Sequence, residues 1–200
     1  DEAINMNKKI CFYYNYYDID KKLHARIDPG GAPHQYIVNP LRIAAANGKY
    51  YLIGNYDKYD NISHYRLDRI SEMHVLDDLA KDKSKINGIS NNLNLSRHMA
   101  EHIYMFSGES SRITFSAPRH LVTEIIDWFG MDVIFTDVTK EGMTAGVVCN
   151  EEAFRYWALQ YGRFVTVQRP LKLKELIKSD IADMAKRYDA GDGSEENECK

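Results

Sequence analysis

Between Lys49 and Ile70 the chain reads KYYLIGNYDKYDNISHYRLDRI, a tyrosine-rich run that ends with two arginines around an aspartate. A guanidinium is a planar, permanently charged fork that binds carboxylate or phosphate at two points, and a tyrosine ring offers a face on which a base can stack. In a regular strand Arg66 and Asp68 share one face, with Tyr65, Leu67 and Arg69 on the other. Either the two arginines diverge, or the chain turns at Asp68 and brings them together. Diverging arginines imply a surface ion pair between Arg66 and Asp68 with the tyrosines in a core. Converging ones make an anion site, to which His64, on the face of Arg66 by alternation, adds a donor or a pH-dependent charge.

A second pattern competes with the first. His98 to His102 reads HMAEH, and two histidines at i and i+4 on a helix can hold zinc beside a glutamate acting as base. This is the signature of a zinc-dependent hydrolase, but the third protein ligand has to come from elsewhere and no matching acidic motif stands out. The segment is read as a linker helix with exposed histidines, and no metal or other cofactor is expected. Glycine-rich phosphate loops and nucleophile elbows are absent from the sequence.

The bulk numbers set the frame for these residues. Two hundred residues suffice for two small domains, and 44% hydrophobic with 28% charged residues is an ordinary globular composition with an unusual 14 tyrosines. A net charge of -3 excludes a chain coated in nucleic acid, so any anion site has to be local. Three cysteines without a CxxC pair fit a reducing compartment, and a cytoplasmic location is expected. No apolar run approaches the roughly 20 residues that span a bilayer. The chain begins at Asp1 and not at methionine, which suggests that an upstream segment was removed.

The elements that must position the site follow from periodicity. Ile10, Phe12, Tyr14 and Tyr16 alternate with Cys11, Tyr13, Asn15 and Tyr17, as in a strand. Asn47-Gly48 is a two-residue hairpin signal between YIVNPLRIAAA and KYYLIG, and two further strands are expected over Ile62 to Leu67 and Met73 to Leu76. Five short strands over residues 8–78 predict a small, strongly bent barrel. Residues 79–111 read as a polar linker, with Ser96 capping a short helix. Residues 112–188 read βαββαβ with a terminal helix, the ferredoxin-like order, with Pro118 in the first turn of one helix and Gly130 just past its end. That last helix carries Ile177, Ile181, Met184 and Tyr188 on one stripe, and residues 189–200 form an acidic tail read as disordered. The fold class is therefore mixed α/β in two domains.

Taken in succession, YIVNPLRI, NGKYYLIG and HYRLDRI resemble the core of the WYL domain family of bacterial regulators, over residues 8–78. Tyr50 stands where the tryptophan that names the family is usual, and Tyr51 and Leu52 follow in place. The half beyond the linker is similar, through WALQYGRFVTVQRPLKLKELI, to the extension that often follows such domains. The resemblance implies an Sm- or SH3-like small barrel, a ligand-sensing role and a winged helix-turn-helix domain upstream, missing before residue 8, through which DNA would be bound. It also favours the turn at Asp68, so that Arg66 and Arg69 converge beside Tyr51 on an anionic ligand, single-stranded nucleic acid or a nucleotide. His64 and Arg42 are further candidates, Arg42 either widening the basic patch or facing water. Tyr36 is expected to be structural first and a ligand contact second. A homodimer is expected through the C-terminal half, from the aromatic surface of Trp128, Phe129, Trp157 and Tyr161. A purely structural dimerisation module is the remaining alternative.

Overall fold

The structure, a computed structural model, describes residues 1–87, 89 and 94–189. The acidic tail expected over 189–200 lies outside these, apart from Asp189. The protein is mixed α/β, with two antiparallel sheets, and divides into two compact units, Asp1–Gly108 and Glu109–Lys200.

The first unit opens with a single-turn helix, α1 (Glu2–Asn5), followed by β1 (Lys8–Tyr17), β2 (Leu23–Ala25), β3 (Gln35–Ala46), β4 (Lys49–Tyr56), β5 (Ile62–Arg66) and β6 (Ile70–Leu79). Asn47 and Gly48 both take positive φ, 49° and 70°, the twist that a two-residue hairpin between β3 and β4 demands. The ladders run β6-β1-β3-β4-β5, with β2 on the end of β1. β5 and β6 stand at opposite ends of that path and are joined through a 3-10 turn, Leu67–Arg69. Among the described pairings no ladder joins β5 to β6, so the barrel expected from strand spacing is not closed by hydrogen bonds.

Alternation along the strands sorts side chains to two cores. Ile10, Phe12, Val38, Leu52 and Tyr65 pack on one face, with Tyr14, Tyr36, Leu67 and Ile70 against them. Leu41, Ala44, Ile53 and Ile62 pack on the other. Part of the segment read as a linker completes this second core. Ile86 and Met105 are buried in it, and Leu95 and Met99 of α2 (Leu95–Glu101) lean on it. The cap of α2 is Asn94, whose side chain accepts from Arg97 N–H, and not Ser96, which lies inside the helix.

The second unit runs β7 (Ser110–Pro118), α3 (Val122–Phe129), β8 (Ile134–Thr136), β9 (Gly142–Asn150), α4 (Glu151–Gln160), β10 (Thr166–Arg169) and α5 (Leu171–Asp189). Its sheet has the order β10-β7-β9-β8, all antiparallel. Pro118 ends β7, and a 3-10 turn, Arg119–Leu121, precedes α3. Gly130 closes α3 at φ 76°, a conformation that favours glycine. Two of the four aromatics expected on the surface are core: Trp157 and Phe129 are buried, and Trp128 and Tyr161 are half-buried. On α5 the stripe is exposed through Ile181, Met184 and Tyr188.

Candidate functional site

The chain turns at Asp68. β5 ends at Arg66, and Leu67–Arg69 curl into the 3-10 turn that leads to β6. Inside the turn Asp68 accepts from Arg66 at two points, Nε to Oδ1 at 3.1 Å and Nη2 to Oδ2 at 2.6 Å. The hydrogen bond from Arg66 holds the Asp68 carboxyl below its ordinary range, with smaller contributions from Lys49 and Arg69 nearby. The backbone on either side of the turn is pinned as well. Arg66 N–H donates to the Tyr14 hydroxyl at 3.0 Å, and the Arg69 carbonyl accepts from Asn15 Nδ2 at 3.1 Å. Arg69 lies over the Tyr17 ring, 5.9 Å from its centre, and its Nε is buried with no hydrogen-bond partner. A buried N–H of a permanent cation left unmatched is costly, and calls for an acceptor.

Strand register shows which of the candidate residues are neighbours. Tyr51 stands opposite Arg66 on one side and Ala44 on the other, and in the next row on the same face Ile53 stands opposite His64 and Arg42. Tyr51, Arg66, His64 and Arg42 thus share the face of the second core, and Arg42 is exposed there. Tyr36 is not with them. It belongs to the aromatic cluster of the opposite face, stacked on Phe12 at 6.0 Å and edge-on to His34 at 4.5 Å.

His64 does lie on the face of Arg66, but its ring is turned to other histidines. His64 Nε2 and His98 Nε2 are 2.8 Å apart, and the His102 ring centre lies 4.3 Å from that of His98 and 5.4 Å from that of His64. His98 and His102, expected to be exposed, are 6% and 9% accessible. Burial, and then the neighbouring imidazoles, push His64 down to about 3; burial and His102 push His98 down to about 4. Glu101, the base that a hydrolase would need, accepts from Arg97 Nε at 2.9 Å. Beyond His102 the backbone passes through left-handed conformations at Tyr104 and Met105, φ 59° and 56°. Among the described residues, no group of three or more His, Cys, Asp or Glu side chains is arranged so that it could hold a metal ion. The sequence reading missed the meeting of His64 with HMAEH because 34 residues separate His64 from His98 and no periodicity links them.

Residues 1–75 match the family model of the WYL domain. Over 94% of its length the chain is similar to 26% of proteasome accessory factor B/C (PafBC) of Arthrobacter aurescens, at 15% identity and a TM-score of 0.37. Over 95% of its length it is similar to 51% of a CRISPR Cas-related protein, at 13% identity and a TM-score of 0.52, a likeness of fold. The chain spans about half or less of either structure's length. No curated protein matches.

Proposed function

With a WYL domain match over residues 1–75 as premise, we propose that the chain is the ligand-sensing part of a bacterial transcriptional regulator. Its ligand is an anion, single-stranded nucleic acid or a nucleotide. The observation that carries this reading is the pair of arginines on one turn. Asp68 fixes the plane of the Arg66 guanidinium, while Arg69 Nε is buried with no partner of its own. Two oriented cations with only one carboxylate between them attract phosphate, and Tyr51, directly across from Arg66, offers a ring to a base. Arg42 and Lys49 extend the positive field on this side. His64 contacts the ligand only if it leaves His98, and Tyr36 acts by supporting the opposite core.

In this reading residues 8–78 are the sensing domain, and the strand order β6-β1-β3-β4-β5 supports an Sm- or SH3-like architecture for it. Residues 79–111 connect it to a ferredoxin-like domain over 112–188, which the sheet order fourth-first-third-second supports. The second domain pairs two chains through α5, whose exposed Ile181 and Met184 give it an apolar stripe. DNA is bound by a helix-turn-helix domain upstream, and the regulator works in the cytoplasm.

The test is fluorescence anisotropy of a labelled single-stranded oligonucleotide and a labelled nucleotide against the full chain and its Arg66→Ala and Arg69→Ala variants. Saturable binding weakened by both substitutions supports the assignment. Binding of equal strength in the variants overturns it.

A further inference from the structure

Three side chains of the first unit, Asp28, His34 and Tyr56, stand in one hydrogen-bonded line. His34 Nδ1 lies 2.5 Å from Asp28 Oδ1, and His34 Nε2 lies 3.1 Å from the Tyr56 hydroxyl. The sequence brings them together in two steps. Pro29, Gly30 and Gly31 turn the chain between Asp28 and His34, with Gly31 at φ 82°. Asp28 N–H donates to the Ala32 carbonyl at 2.8 Å and His34 N–H to the Arg26 carbonyl at 2.7 Å, which closes the loop. Tyr56 comes from the end of β4, on the face of Leu52 by alternation and so on the side opposite Tyr51.

What each atom can do fixes its role. An ionised carboxylate only accepts, so the neutral His34 ring carries its proton on Nδ1 and keeps a lone pair on Nε2, to which the Tyr56 hydroxyl donates. Tyr36 stands edge-on to the ring, centres 4.5 Å apart, and limits its freedom to turn. A hydroxyl on a base whose second nitrogen is held by a carboxylate is the arrangement that activates a nucleophile. Burial, with Tyr36, Tyr59 and Asp28 nearby, raises Tyr56 above the ordinary range of a phenol, so at rest it stays protonated and depends on the base to react. The line is open to solvent. The side chains of His34 and Asp28 are 29% and 44% exposed, and Tyr56 is half-buried.

We propose that Tyr56 is a nucleophile toward an activated acyl donor of the thioester class, with His34 as its general base and Asp28 as the residue that positions the ring. The Tyr56 oxygen bonds to the carbonyl carbon as its proton passes to His34 Nε2. The carbon–sulfur bond then breaks, and the sulfur leaves with that proton as a thiol. The product is an acyl ester on Tyr56. The Asp28 carboxylate repels the charged oxygens of a phosphoryl donor, which favours a carbonyl that is uncharged where it reacts. The site shares no residue with the anion site and is independent of that assignment. The ordinary alternative is a clasp that ties the loop to β4 and activates nothing.

The experiment treats the full chain with acetylimidazole or S-phenyl thioacetate and quantifies acetylated tyrosines by peptide mass spectrometry at early times. A clasp predicts a ranking by exposure, with Tyr50 and Tyr59, 66% and 53% exposed, ahead of Tyr56. A positioned base contributes about 10²–10⁴-fold, so we expect Tyr56 to react about tenfold or more faster than either. Its rate should level off by about pH 8, once an imidazole is neutral, whereas that of Tyr59 should keep rising toward the phenol range near 10. His34→Ala should slow Tyr56 about tenfold or more and restore the rising profile, and Asp28→Asn should act in the same direction, with Tyr50 unchanged in both. If circular dichroism shows His34→Ala to be unfolded, Asp28→Asn carries the expectation. Tyr56 reacting no faster than Tyr50 and Tyr59, or a Tyr56 rate and pH profile unchanged in the folded variant, overturns the proposal.

Discussion

Asp68 holds Arg66 by both of its oxygens from two residues further along the chain, in the 3-10 turn that joins β5 to β6. The pair is largely solvated, so its contribution to stability is small, within about 1 kcal/mol. Its effect is on direction. We expect Asp68→Asn to leave Tm nearly unchanged and to weaken binding of a labelled oligonucleotide, because the Arg66 fork loses its reference plane. A large drop in Tm would make the pair structural.

Arg66→Ala and Arg69→Ala should each cost about 1–3 kcal/mol of anion binding, as charge-assisted contacts do. The chain carries a net charge of -3, so binding depends on this patch and not on diffuse attraction. The logarithm of affinity should fall against the logarithm of salt with a slope of roughly one to three, read from anisotropy titrations at several ionic strengths.

Acid should destabilise the protein before its carboxylates titrate. His64 and His98 stay neutral in the folded chain down to about 3 and about 4, whereas unfolded they take a proton near 6.5. Below 6.5 the unfolded chain binds more protons, so stability is intact above that pH and falls as pH drops toward 4. The limiting slope is about 1.4 kcal/mol per pH unit for each ring. Urea titrations across this range should show it, and His98→Asn should make the dependence shallower.

The second unit rests on one anchor of its terminal helix. Leu173 is the only residue of α5 that is fully buried among those described, at 1% exposure, and Arg155 of α4 forks Asp180 further along. Leu173→Ala should cost about 2–5 kcal/mol by chemical denaturation, while Asp180→Asn should cost about 1 kcal/mol or less.

Gly54→Ala tests the sheet itself. A Cβ at position 54 would stand 2.7 Å from Val38 Cγ1 and 3.0 Å from the Asn39 carbonyl. We expect it to lower Tm by several degrees, about 1–3 kcal/mol, without touching the anion site directly.

Local signals were the legible ones. Alternation along β1, the Asn47-Gly48 hairpin and the Gly130 helix end are written in consecutive residues, and each stands where those residues imply. Of the two options that alternation left open, the structure shows features of both: the chain turns through Leu67–Arg69, and Arg66 is ion-paired with Asp68 while Tyr14, Tyr36 and Tyr65 belong to a core. What was hidden depends on distance along the chain. Ile86 and Met105 seal the second core from a stretch whose polar composition suggests a connector. Asn94 outcompetes Ser96 as the cap of α2, and both are chemically suitable, so only the register of the helix decides between them. Trp157 and Phe129 looked like excess surface only because the depth of a four-stranded sheet with its helices cannot be judged from an aromatic count.

The unpaired seam between β5 and β6 gives the arginine turn a mechanical character. β5 is laddered to β4 and β6 to β1, and the three residues Leu67–Arg69 connect these two edges of one continuous sheet. On the reading proposed above, a ligand held at once by Arg66 and Arg69 would bridge the end of β5 and the start of β6 across that seam, joining by contact two edges that no backbone hydrogen bond joins among the described pairings.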